Sequence, residues 1–202
     1  MNKQNIFPTK GNLIAVKKSL DLASTGYELL DKKRNILIRE MMQLLEKVKI
    51  LRDEITLTFD RAYFSLQEAN ISNGIVNTIA YTTPIDNSLQ LSSRSVMGVE
   101  IPNINYEQED LGIIYGLHTT DSKLDEAFCN FQEVKRLSVV LAEVENSVYR
   151  LATAIAKTQK RANALKNIVI PDYEDISKFI QDYLEEKERE EFSRKKVIKT
   201  VK

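Results

Sequence analysis

Apolar residues recur every seven positions along both ends of this chain. Near the front, Leu13, Leu20, Tyr27, Arg34, Met41, Val48, Ile55 and Ala62 form one series, broken only at Arg34, and Val16, Ala23, Leu30, Leu37, Leu44, Leu51 and Thr58 form its companion three residues on. Near the back, Val134, Leu141, Val148, Ile155, Ala162, Val169, Ile176 and Tyr183 run unbroken, beside Leu137, Val144, Leu151, Thr158, Leu165, Asp172 and Phe179. A sustained seven-residue repeat places a narrow apolar seam on a helix and drives left-handed supercoiling against another helix. The pattern predicts a mainly α fold: a long antiparallel two-helix coiled coil of the N- and C-terminal helices, with a short β-hairpin insertion at the turn end. One elongated domain over 1–202 is expected.

The first helix is expected over 9–67. Pro8 fixes the approach, Thr9 or Asn12 offers a cap, and no proline follows before Gln67. At 1.5 Å per residue this is on the order of 80 Å of helix. Gly26 inside it reads in two ways: a tolerated helix glycine costing up to about 1 kcal/mol, or a smooth spot where another backbone comes close. From 68 to 120 the heptads vanish. Period-two alternation at Ile75–Ile79–Tyr81, Met97–Val99–Ile101 and Leu111–Ile113–Tyr115–Leu117 suggests short strands around loops such as Pro84–Ser88. The second helix is expected over 121–198, starting at Asp121 or Ser122. Pro171 removes a backbone donor inside it, so a kink or a one-turn break is expected there. The register passes from Val169 to Ile176 without a skip, which favours a kink.

Composition narrows the function more than it widens it. The 202 residues carry 29 basic and 29 acidic side chains, a formal net charge of zero, so the basic surplus of a general nucleic-acid binder is missing. With 43% apolar residues, 6 Gly and 4 Pro, the chain leans toward long helices and away from disorder. The charges read as solvated helix faces with pairs such as Glu185–Arg189 and Glu190–Arg194. No run approaches the roughly 18 apolar residues needed to span a bilayer, and the polar start is unlike a secretory signal. The seams are narrow with acidic neighbours, so they suit protein better than a membrane surface.

Candidate chemistry is sparse. The chain has one Cys and one His, Cys129 and His118, too few for a zinc site or a Cys–His pair, and it has no phosphate-cradling glycine loop. His118 reads as a surface or capping residue and Cys129 as a small filler. No catalytic, metal or cofactor-binding residue is expected. Arg34, Thr158 and Asp172 are the polar seam positions. A pair between Arg34 and Asp172 would fix the register of the helices, against the plainer reading that both reach solvent.

Three blocks in order carry a resemblance. At the front stand Pro8–Thr9–Lys10, Leu13, Lys17, Leu20, Ala23, Gly26, Leu29–Leu30 and Lys32–Lys33–Arg34. The middle has Val96–Met97–Gly98–Val99–Glu100–Ile101–Pro102. The end has Arg161–Ala162–Asn163–Ala164–Leu165, Ile168, Ile170–Pro171, Ile176, Phe179–Ile180, Leu184, Glu188–Arg189–Glu190 and Phe192–Ser193–Arg194. Together they resemble the D subunits of the V/A-type rotary ATPases (ATP synthases) over nearly the whole chain.

The resemblance implies a central rotor shaft, non-catalytic itself, that transmits torque between ATP turnover and ion translocation. It implies as partners the catalytic A and B subunits of the hexameric head, the small F subunit of the central stalk and a socket subunit capping the membrane rotor ring. It also implies a place on the cytoplasmic side of the membrane in a peripheral complex. On this reading Lys10, Lys17, Lys18, Arg189, Arg194, Lys195 and Lys196 are candidate head contacts, and Val96, Met97, Val99 and Ile101 a candidate membrane-side contact. Two alternatives share the helical plan: a prefoldin-like chaperone and a structural coiled-coil tether. Neither would copurify with large ATP-binding subunits.

Overall fold

The computed structural model describes residues 7–76, 79, 81, 88–106, 115–116 and 120–200. The elements in order are α1 (Lys10–Asn73), β1 (Leu89–Val96), β2 (Val99–Tyr106), α2 (Ser122–Ala164), a π-helical turn (Leu165–Val169) and α3 (Ile170–Thr200). The fold is mainly helical, with one small antiparallel sheet between the long helices in sequence. Two compact units are distinguished, Met1–Asn35 with Ile155–Lys202, and Ile36–Ala154.

Helix α1 begins as its sequence suggests. The Asn12 amide donates to Thr9 Oγ1 at 3.2 Å and the Leu13 amide to the Thr9 carbonyl at 3.0 Å, so Thr9 is the cap. It continues past 67 to Asn73, where Gly74 takes φ +74°. A glycine in the left-handed region just after the last turn ends a helix without Cβ strain.

In the unit Ile36–Ala154 the seams of α1 and α2 meet. Leu37, Leu44, Val48, Ile55 and Ala62 are buried on one helix, and Val134, Leu137, Val144 and Leu151 on the other. Burying a large aliphatic side chain is worth about 1.5–3 kcal/mol, so these rows hold the pair together. Polar contacts fix its direction: Arg52 reaches Glu145 at 2.7 Å, and Asn130 Nδ2 donates to Ser65 Oγ at 3.1 Å. Numbers rise along one helix as they fall along the other, so the pair is antiparallel. Next to the chain reversal, Ala69, Leu124 and Ala127 form a small apolar cluster with Val76, Ile79 and Tyr115.

In the unit Met1–Asn35 with Ile155–Lys202, Ala23, Ala162, Ile176 and Ile180 are the buried apolar residues among those described. The expected seam holds up to Leu165 and then changes. Ile170 N–H donates to the Leu165 carbonyl, five residues back, which inserts one extra residue into the helix. Pro171 explains the site. It lacks an N–H, and in a regular helix its ring collides with the carbonyl four residues before it; a widened turn relieves that collision. The helix runs on through Pro171 without a break, by way of the π-turn. The companion row shifts by one residue, while Ile176 stays buried as the Val169–Ile176 reading expects. Asp172 and Phe179 therefore turn outward, while Tyr173 and Ile180 face inward, Ile180 with no exposed surface.

The insertion also departs from expectation. Strand pairing runs from Leu89↔Tyr106 to Val96↔Val99, and Met97–Gly98 is the two-residue turn rather than strand. Both turn residues have positive φ, 51° and 76°, the signature of a type I′ hairpin turn. Strand β1 has no counterpart among the expected strands. No strand forms at Gly74–Val76, and most of the alternating segments around Ile79 and Leu111–Leu117 lie outside the described residues, as does His118.

Candidate functional site

The functional candidates on this chain are surfaces rather than a pocket. Among the described residues no group of three His, Cys, Asp or Glu side chains could hold a metal ion. No described helix is long and apolar enough to cross a membrane.

The cationic candidates all belong to the unit formed by the two chain ends, and all are exposed. Lys10 pairs with Glu188 at 2.9 Å. The hydrogen bond, then the charge, raises the Lys10 pKa and lowers that of Glu188. Arg189 reaches Glu186 at 3.8 Å rather than the expected Glu185, and Arg194 reaches Glu190 at 3.7 Å. Exposed pairs of this kind are worth about 0–1 kcal/mol and exchange partners readily. Lys17, Lys18, Lys195 and Lys196 add positive charge to the same unit. The structure thus brings the seven candidates onto the paired ends without gathering them into one patch.

Arg34 does not pair with Asp172. Its guanidinium, 24% exposed, is held by Asp31 at 2.6 Å and donates to Gln159 Oε1 at 2.9 Å across the helix pair. Two causes act together. Asp172 lies about 13 residues beyond Gln159, roughly 20 Å of helix rise, and the π-turn has rotated it out of the seam. Gln159 in turn donates to Asn163 at 2.7 Å, so a polar layer interrupts the seam where Arg34 breaks the heptad. Thr158, the third polar seam residue, is buried as its heptad position requires.

The hairpin candidates lie elsewhere than expected. Arg94 reaches Glu40 on α1 at 3.1 Å, Arg150 Nη1 on α2 donates to the Glu100 carbonyl at 3.2 Å, and Lys135 stands over the Tyr106 ring at 5.5 Å. The hairpin therefore lies along the helix pair with its Met97–Gly98 tip level with Glu40 and Arg150. Val96, Met97, Val99 and Ile101 are not at the chain reversal. Ile101 is buried and Val96 and Val99 are half-buried, leaving Met97 as the exposed member.

Hydrogen bonding fixes which strand edge faces what. Ile104 N–H donates to the Glu143 carboxylate at 3.2 Å, so it is not spent on β1, and the Leu91–Ile104 pair is one without ladder bonds. By alternation, Glu100, Pro102 and Ile104 show their backbone groups on the outer edge of β2. Pro102, lacking an N–H, sits where none is needed for the ladder. Arg150 and Glu143 on α2 cover that edge. Sequence reasoning misses this arrangement; Pro102 inside a strand is the one signal that could have found it.

The family model of the ATP synthase D subunit matches residues 12–200 of this chain. The chain is 44% identical to the D subunit of the V-type ATP synthase of Thermotoga neapolitana, with 96% of this chain and 97% of that protein covered. It is 36% identical to the D subunit of the A-type ATP synthase of Methanobrevibacter smithii, covering 97% and 87%, and 35% identical to that of Pyrococcus horikoshii, covering 97% and 94%.

Proposed function

The chain belongs to the family of ATP synthase D subunits, and from that premise we propose that it is the non-catalytic central shaft of a V/A-type rotary ATPase. The observation that carries this reading is antiparallel helix pairing within each unit: heptad rows and Arg52–Glu145 join α1 to α2 in Ile36–Ala154, and Arg34–Gln159 joins the two segments of the other unit. Such pairing resists twisting, because turning one helix against the other strips buried side chains from their holes.

On this proposal the paired chain ends enter the hexamer of catalytic A and B subunits, with Lys10, Lys17, Lys18, Arg189, Arg194, Lys195 and Lys196 as contacts. Exposed charges suit a shaft that must be held and released at each step, since each contact is weak. The small F subunit binds its side. The end near the chain reversal, with exposed Ile71 and Ile75, takes the role expected of Val96–Ile101 and meets the socket subunit above the membrane rotor ring. The chain works on the cytoplasmic side of the membrane and carries no cofactor.

Cys129 is exposed and is the chain's one cysteine, which makes it a natural handle. With the catalytic head fixed to glass and a bead on Cys129, ATP is expected to drive unidirectional stepping. A bead that only fluctuates, on a complex that still hydrolyses ATP, refutes the shaft role.

A further inference from the structure

The two edges of the hairpin are treated differently by the fold. The β2 edge is blocked by Pro102 and covered by Arg150 and Glu143. Its counterpart on β1 presents the outward N–H and C=O groups of Leu89, Leu91, Ser93 and Ser95, which follow from the same alternation. No described hydrogen bond engages those backbone groups. All of β1 except Val96 is exposed, over eight residues. Proteins ordinarily protect such an edge with proline, lysine or a bulge. Here the strand carries serines at 92, 93 and 95, and its single charge, Arg94, is drawn to Glu40.

The outer face adds a preference. Leu89, Leu91, Ile104 and Tyr106 share the side facing away from buried Ile101, and Leu91 is 73% exposed. A two-stranded sheet is marginal alone and gains from a third strand.

We propose that β1 is a docking edge for an extended segment of a neighbouring protein of the complex, which adds to the hairpin as a third strand. Main-chain hydrogen bonds to Leu89, Leu91, Ser93 and Ser95 supply the binding, and apolar side chains at alternate positions of the incoming segment cover Leu89 and Leu91. The segment is uncharged where it passes Ser92–Ser95. The proposal requires membership of the multisubunit complex and not rotation, so it stands or falls separately from the shaft role.

Residue-resolved hydrogen exchange on the full chain, free and within the assembled complex, tests it. In the free chain the outward amides of Leu91, Ser93 and Ser95 exchange fast while the inward amides of Ser92 and Arg94 are slower. Assembly is expected to slow the outward amides about tenfold or more. Ser93→Pro deletes an outward donor and is expected to weaken assembly about tenfold, with Ser93→Thr neutral. Protection at Ser92 and Arg94 reports whether the proline variant keeps its hairpin. Should it not, Leu91→Lys, which charges the outer face, takes its place. Outward amides equally fast in the complex overturn the proposal. So does concentration-dependent protection in the isolated chain, which makes the occupant a second copy.

Discussion

Leu165 Cδ1 stands 3.9 Å from the position a Cβ on Gly26 would take, and beyond the glycine's own turn of helix no other heavy atom of the described residues lies within 4 Å of it. That is ordinary van der Waals contact, with a side chain and not a backbone. Of the two readings of Gly26, the tolerated helix glycine is the one the structure supports. Gly26→Ala should therefore raise stability by about 0.5–1 kcal/mol, the backbone-entropy cost of a mid-helix glycine. Chemical denaturation of the two proteins side by side checks this; a loss of stability would mean that the helices cannot accept even a methyl group there.

The π-turn makes a sharper prediction, because the unbroken heptad and the observed packing assign opposite roles to two neighbours. Ile180 is fully buried and Phe179 is 45% exposed. Ile180→Ala should cost about 2–5 kcal/mol and Phe179→Ala less than about 1 kcal/mol. Thermal melts of both variants decide it. The reverse order would restore the unskipped register and return Asp172 to the seam.

These two sites also show where sequence pattern stops being informative. The seam of α1 is legible because its positions from Leu13 to Ala62 keep one geometric period through a continuous helix, even across the polar layer at Arg34. Pro171 announces a disturbance, but its remedy depends on how the helix accommodates the clash, and a widened turn leaves no pattern of its own. Strand β1 is invisible for a different reason. Ser92–Ser93–Arg94–Ser95 has no apolar alternation, since the strand buries almost nothing and is held by its ladder to β2 and by Arg94–Glu40. The candidate contacts are legible only as charges; which neighbours they meet is written in other chains.

The hairpin tip stores a small strain. Met97 has φ 51°, a left-handed conformation in which an ordinary side chain costs about 1 kcal/mol, whereas Asn–Gly is the favoured pair for this turn. Met97→Asn should stabilise the hairpin by about 0.5–1 kcal/mol. The readout is slower amide exchange at Ser92, Arg94 and Val96, whose N–H groups lie on the ladder side. Unchanged exchange would show that docking on α1 and α2, rather than the turn, limits hairpin opening.

Tyr115 offers a titration that reports on the chain-reversal end alone. Its hydroxyl donates to Asp125 Oδ1 at 2.5 Å, and its ring packs edge-on against Phe128 at 5.8 Å. Burial first, then the bond to Asp125, raises its pKa to about 12 from 10. The folded state thus favours the neutral phenol. The stabilisation is full below pH 10 and is lost as pH climbs through 12, because ionisation destroys the donor and sets a phenolate beside a carboxylate. Of the chain's 8 tyrosines, Tyr115 should contribute a late component to the ultraviolet phenolate titration. Tyr115→Phe should remove that component, and Asp125→Asn should move it only partway toward 10, since burial persists. A titration unaltered by Tyr115→Phe would mean that this hydroxyl is solvated in solution and that the cluster with Leu124 and Ala127 is open to water.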